Sequence, residues 1–211
     1  MKTNLETDWR DLLRRLAILL GMKGERSLDD ARPDCGSDSQ VDRGVELPSL
    51  AVLRYVDSAL AGGDSVTAPI CVLIDQLKTE LRWRQNASYV RADFVADFLD
   101  GYAYCELLGP SGHRVRGDIA LGLLLLAPRV TYPAHAHPAA EVYAVIAGRA
   151  DWRQGDGVWR RREPGQRIHH ASMEPHAMRT ADEPLLAAYL WQDHLHEGAR
   201  LLRTKTVSKG R

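Results

Sequence analysis

After Gly101 the chain changes period. It breaks into short runs separated by Gly, Pro and polar turns: Tyr102–Leu108, Ile119–Ala127, Glu141–Ala147, Ala150–Gln154, Gly157–Arg162, Gln166–His170, His176–Thr180 and Leu185–Trp191. Runs of this length, several of them alternating with period two, predict strands, and a set of this size predicts a β-sandwich or a small barrel. In Glu141–Ala147 the alternation puts Val142, Ala144 and Ile146 on one face and Glu141, Tyr143 and Val145 on the other. A carboxylate and a phenol that share a strand face belong on a solvated surface or in a polar pocket.

Before Gly101 the periodicity is helical. Trp9, Leu12, Leu13, Leu16, Leu19 and Leu20 fall on one helix face, with Thr7 as the predicted N-cap and Gly21 as the predicted stop. A second helix is predicted from Pro48 through Leu60. A third begins near Pro69, with Ile70, Leu73, Ile74, Leu77 and Leu81 on one face, and a fourth covers Arg91–Leu99. Residues 22–46 read as a polar connecting loop. Successive helices over 48–81 invite a DNA-reading interpretation, but that stretch carries only Arg54 and Lys78 as cations, too few for phosphate contacts. They are expected instead to cap the second half. The predicted organisation is a helical extension over 1–100 packed on a barrel over 101–196, with a polar tail over 197–211.

Composition narrows the partners. Lys+Arg and Asp+Glu both number 28, so no basic surplus points to nucleic acid or to an anionic membrane. The longest uncharged apolar run, Ile119–Ala127, is about half of the ~20 residues that span a bilayer. Met1 to Trp9 carries Glu6 and Asp8 and lacks the apolar stretch of a secretory signal. The cysteines, Cys35, Cys71 and Cys105, are odd in number and far apart, which predicts reduced thiols in a cytoplasm and no disulfide scaffold. Without an export signal, the glycosylation pattern at Asn86-Ala87-Ser88 is read as chance.

All eight histidines lie between His113 and His196. The informative group is His135-x-His137-x-x-x-Glu141, followed by Gly148. Two histidines two apart project from one face of a strand, so both imidazoles can reach one ion; Glu141 adds a hard oxygen after a bend at Pro138, and Gly148 suits a tight turn. This mixed nitrogen and oxygen set suits Zn²⁺, Fe²⁺, Mn²⁺, Co²⁺ or Ni²⁺ without separating them. Tyr143, two positions beyond Glu141 on the same face, is expected near the metal. Of the adjacent His169 and His170, one should face inward and the other outward; His113, His194 and His196 are expected to be solvated.

This pattern resembles the first signature motif of the cupin superfamily, although Arg129 stands where a glycine is usual. A second cupin motif is recognisable from Gly165 to Thr180: the His176 spacing is kept, while Ala171, Met173 and Thr180 replace the usual Pro, Gly and Asn. The resemblance implies a mainly β, cupin-type small barrel of jelly-roll form, with a metal in its mouth and an α-helical N-terminal extension.

A narrower resemblance is carried by Tyr132-x-x-His135-x-His137-x-x-x-Glu141-x-Tyr143, by Pro175–Thr180, by the late Trp191 and by the Tyr102–Pro110 entry. Together these look like the dimethylsulfoniopropionate lyases, of the Q type. That resemblance implies one divalent transition metal ion held by His135, His137, Glu141 and His176. It also implies Tyr143 as general base, Tyr132 and Trp191 in the substrate pocket, and β-elimination to acrylate and dimethyl sulfide. The faces of Trp191, Tyr189 or Tyr132 can hold a sulfonium cation. The expected partners are a small-molecule substrate and, as in many cupins, a second copy of the chain. The same ligands would serve an iron-dependent cupin dioxygenase acting on a small organic acid or thiol, and a non-catalytic cupin that binds a small ligand is a third reading.

Overall fold

A computed structural model of the chain describes residues 5–22, 32–33, 50–89 and 98–202. Helix α1 (Leu5–Leu20) buries Trp9, Leu12, Leu13, Leu16, Ala17, Leu19 and Leu20, the face the apolar spacing predicts. Thr7 lies inside it and is not its cap, because apolar periodicity marks the buried face and not the first turn. Gly21 ends the helix at φ +77°, a conformation that favours glycine. The second predicted helix is a 3₁₀ turn (Ala51–Tyr55) running into α2 (Val56–Leu60), and Pro48 lies outside the described residues. Helix α3 (Ala68–Leu77) carries Pro69 in its first turn, and Leu81 lies beyond its end yet stays buried. Most of the predicted Arg91–Leu99 helix also lies outside the described residues; Leu99–Gly101 is a 3₁₀ turn.

The strands are β1 (Arg32–Pro33), β2 (Tyr102–Gly109), β3 (Arg114–Val115), β4 (Ala120–Leu126), β5 (Thr131–Ala136), β6 (Glu141–Ala147), β7 (Ala150–Gln154), β8 (Arg160–Arg162), β9 (Arg167–His170), β10 (His176–Thr180), β11 (Leu185–Trp191) and β12 (Arg200–Leu201). Every predicted run contains one. β1, β3, β5 and β12 are additions to them: β1 falls in the predicted loop over 22–46, β12 in the predicted tail over 197–211, and in β5 Pro133 reads as a strand breaker. One sheet has the order β1-β3-β2-β4-β11-β6-β9 and the other β12-β5-β10-β7-β8. All pairings are antiparallel except β2 with β3. This is the mainly β, cupin-type barrel with a helical N-terminal part. β1 and β12 extend its sheets with residues from outside 101–196.

The larger sheet is buried on both faces. Ala120, Leu124, Tyr143 and Tyr189 line the interior cavity, while Leu121, Leu123 and Leu125, also fully buried, point the other way. α1 packs on β6 and β11, α3 packs on β6, and the two helices pack on each other. β4 is buried on both faces, so Ile119–Ala127 is a continuous apolar run and not an alternating one. Trp9, Leu16, Ile74 and Leu77 of the helices share one apolar core with Leu123, Val145, Ile146 and Leu186 of the barrel. At the β6–β7 turn Gly148 has φ +73°, and a Cβ there would meet the Pro184 carbonyl oxygen at 1.9 Å. Among the described residues, no helix is long and apolar enough to cross a membrane.

Candidate active site

The site forms where the two sheets are joined. β5 and β10 are neighbours in the smaller sheet, with His135 opposite His176. β6 and β11 are neighbours in the larger sheet, with Glu141 opposite Trp191. The bend at 138–140 carries the chain from β5 to β6, so His137 ends one sheet's contribution and Glu141 begins the other's. All four candidate ligands are buried: His135 1%, His137 3%, Glu141 3% and His176 1% exposed.

The three histidines are held alike. Nδ1 of His135 lies 2.8 Å from the Pro133 carbonyl, Nδ1 of His137 2.9 Å from the Ala139 carbonyl, and Nδ1 of His176 2.9 Å from the Glu174 carbonyl. A carbonyl oxygen only accepts, so each Nδ1 must carry the proton and each neutral ring presents a lone pair at Nε2. The Nε2 atoms of His137 and His176 lie 3.0 and 3.3 Å from Oε2 of Glu141. Where the rings are neutral, two Nε2 lone pairs face one carboxylate oxygen in a buried space, an arrangement that a proton or a metal cation between them relieves. Donor atoms of His137, Glu141 and His176 lie within 4.8 Å of one another, as a shared metal ion requires. The residues present therefore fit a metal. His135 is not part of that closest set; its ring stands 4.1 Å from that of His176 and stacks on Tyr132 at 3.9 Å.

Electrostatics follow from this burial. Burial by itself would raise the Glu141 carboxyl, but the His137 and His176 imidazoles facing it hold it well below the usual carboxylate range. Burial, with the neighbouring His176 imidazole next, pushes the His135 imidazole well below its ordinary value. Tyr143 is pushed well above the ordinary phenol value, first by burial and then by the Glu141 charge.

A cavity of about 330 Å³ opens onto the group, and Tyr132, His135, His137, Glu141, Tyr143, Tyr189 and Trp191 all line it. His176 stands behind them. Tyr132 hydrogen-bonds Tyr89 through their hydroxyls (2.8 Å) and packs among Phe98 and Tyr102, an aromatic group that sequence reading did not assemble. Trp191 does more than line the wall: its indole N–H donates to Oε1 of Glu141 at 2.7 Å, and its ring lies 4.3 Å from that of His137. His170 points inward and stacks on His176 at 4.0 Å while His169 is exposed, as their adjacency on a strand requires. His194 and His196 are exposed, but His113 is half-buried and stacks on Trp9 at 4.1 Å, packing α1 to the barrel. Sequence reading also passed over Glu106, which lines the cavity. Its signal was present: Tyr102, Tyr104 and Glu106 share one strand face, as Glu141 and Tyr143 do.

Comparison with known proteins decides the family. Residues 37–187 match the dimethylsulfoniopropionate lyase family. The chain belongs to that family. It is 36% identical over 114 residues to the dimethylsulfoniopropionate lyase DddQ of Ruegeria pomeroyi, a match that covers 54% of this chain and 56% of that protein. A putative dimethylsulfoniopropionate lyase DddL of Cereibacter sphaeroides is 39% identical over 92 residues, 43% of this chain and 38% of that one. The chain thus spans about half the length, or less, of these curated relatives. The crystal structure of DddQ from Ruegeria pomeroyi superposes with a TM-score of 0.72 at 26% identity, over 98% of this chain and all (100%) of that one. A chain from the structures of the lyases RdDddP and RnDddQII, 24% identical, shares the fold with a TM-score of 0.73 over 95% of this chain and 100% of its own.

Proposed function

We propose that this family member is a carbon–sulfur lyase that cleaves dimethylsulfoniopropionate to acrylate and dimethyl sulfide. The observation that carries the reading is the convergence of two Nε2 lone pairs and one carboxylate oxygen beneath a tyrosine-lined cavity, in a chain of this family. His137, Glu141 and His176 hold one divalent transition metal ion in this reading, with the Nε2 of His135 as the fourth donor. When bound, the ion supplies positive charge that draws off the charge of a substrate carboxylate and favours the phenolate of a neighbouring tyrosine.

The chain's own residues then account for the elimination. The Tyr143 phenolate takes the proton from the carbon next to the carboxylate. The electron pair of that C–H bond becomes the new carbon–carbon double bond, and the C–S bond breaks with its pair going to sulfur. Neutral dimethyl sulfide and acrylate result, and Tyr143 returns its proton to water. Burial and the Glu141 charge both oppose phenolate formation at Tyr143. Tyr143 is therefore expected to be inert as a base in metal-free protein. Tyr132 and Trp191 exclude water beside the histidines and Glu141, and Tyr189 offers its ring face to the sulfonium. The same reading places the barrel chemistry in 101–196 beneath a helical cover and the protein in a reducing cytoplasm, supported by the free, buried Cys71 and Cys105.

The test is anaerobic incubation of metal-loaded protein with dimethylsulfoniopropionate, following headspace dimethyl sulfide and dissolved acrylate. Equal amounts of both are expected without oxygen. Tyr143→Phe should keep its metal by elemental analysis and lose ~10²-fold or more in kcat, the lower range for a positioned base. No product with any of Zn²⁺, Fe²⁺, Mn²⁺, Co²⁺ or Ni²⁺, or turnover only in oxygen, would reject the lyase reading.

A further inference from the structure

The inner face of the larger sheet carries a continuous row of side chains across four strands. Glu106 on β2 pairs with Gly122 on β4, Gly122 with Tyr189 on β11, and Tyr189 with Tyr143 on β6. Gly122 is the gap in that row. A Cβ there would lie 2.6 Å from both Cε1 and Cζ of Tyr189, so the Tyr189 ring lies over the glycine and leans toward β2. Tyr104, two residues before Glu106, lines the same wall. The cavity thus has a lone-pair and carboxylate cluster at the β5–β6–β10 end and, across an aromatic floor, a second carboxylate on β2.

Glu106 is half-buried, and its bonding is incomplete. Oε1 accepts the Ser111 backbone N–H at 2.7 Å, and Oε2 has no hydrogen-bond or ion-pair partner among the described residues. Arg84 shares the wall, but its guanidinium donates to the Ser111 carbonyl at 2.7 Å and sits 5.9 Å from the Tyr104 ring centre. Burial raises the Glu106 carboxyl, against the opposing pull of the Ser111 N–H, Arg84 and His196. A carboxylate held part-desolvated with an oxygen to spare, beside two tyrosine faces, is complementary to a soft organic cation.

We propose that Glu106 is a specificity-determining residue: with Tyr104 and Tyr189 it forms a subsite for the onium cation of a zwitterionic substrate whose carboxylate is held at the opposite end. This rests on the lyase reading for the substrate's identity, but the subsite itself concerns charge alone. It selects a dipolar acid with a methylated cationic tail over a plain carboxylate of the same shape.

Glu106 also braces the turn over 109–112, so the test must separate charge from structure. Glu106→Gln keeps an acceptor oxygen for Ser111 and removes only the charge. Calorimetric affinities of 3-(trimethylammonio)propanoate and its uncharged-tail isostere 4,4-dimethylpentanoate are compared in wild type and variant. The variant is expected to bind the zwitterion about tenfold more weakly and the isostere equally well. KM for dimethylsulfoniopropionate should rise by a similar factor with little change in kcat. Equal weakening of both ligands, or an unchanged affinity for the zwitterion, would overturn the subsite. Wild type that discriminates the two ligands but releases no dimethyl sulfide would keep the subsite and discard the lyase reading.

Discussion

At Glu141 the two carboxylate oxygens have different tasks: Oε2 faces the histidines and Oε1 is held by the Trp191 indole. Trp191→Phe keeps the ring and deletes that hydrogen bond, so metal affinity should fall ~10–100-fold, measured by competition with a chromophoric chelator. The sequence places Trp191 at the site as an aromatic, whereas its polar edge becomes meaningful only through the β6–β11 pairing. Burial pushes the Cys71 thiol up to about 11 and the Cys105 thiol to about 12. Neither should take up iodoacetamide at pH 8 in the native state, and both should in urea, as peptide mapping would report. Burial likewise lowers His170 from 6.5 to about 4. A depressed imidazole contributes stability above its unfolded value and loses it as pH falls through the folded one. The urea midpoint of metal-free protein should therefore drop between pH 6.5 and about 4, and His170→Phe should flatten that slope.

Among the elements, β6 shows how much a period can carry. Its alternation puts Glu141 and Tyr143 on one face, and both line the cavity. The turn that closes it depends on Gly148, and Gly148→Ala should cost about 1–3 kcal/mol from strain at positive φ, before any relief of the clash with Pro184. Equilibrium denaturation would measure it. Helix α1 is legible from its leucines, but its attachment is not. The Arg167 guanidinium, from β9, donates to the carbonyls of Ile18 and Leu19 at the helix's end. Removing those bonds in Arg167→Ala should cost ~1 kcal/mol and lower Tm by ~2–4 °C. Nothing at residue 167 announces this, because the partners are backbone groups 148 and 149 residues away.

For the whole molecule, a metal bound by residues from both sheets would join them. Saturating ion at about 100 times its Kd should add ~2.7 kcal/mol to stability, and a chelator should remove it, visible as a reversible shift in Tm. The sequence by itself determined eight of the twelve strands, the buried face of α1 and the ligand types, because burial periodicity and donor chemistry are local: His135, His137 and Glu141 lie within seven consecutive residues. Only the tertiary structure decided which Nε2 atoms face Oε2, that Trp191 grips Glu141, that α1 and α3 pack on β6 of the larger sheet, and that Glu106 looks across Gly122 toward Tyr189. Those relations are set by register between strands and by packing between layers, which depend on residues far apart in the chain.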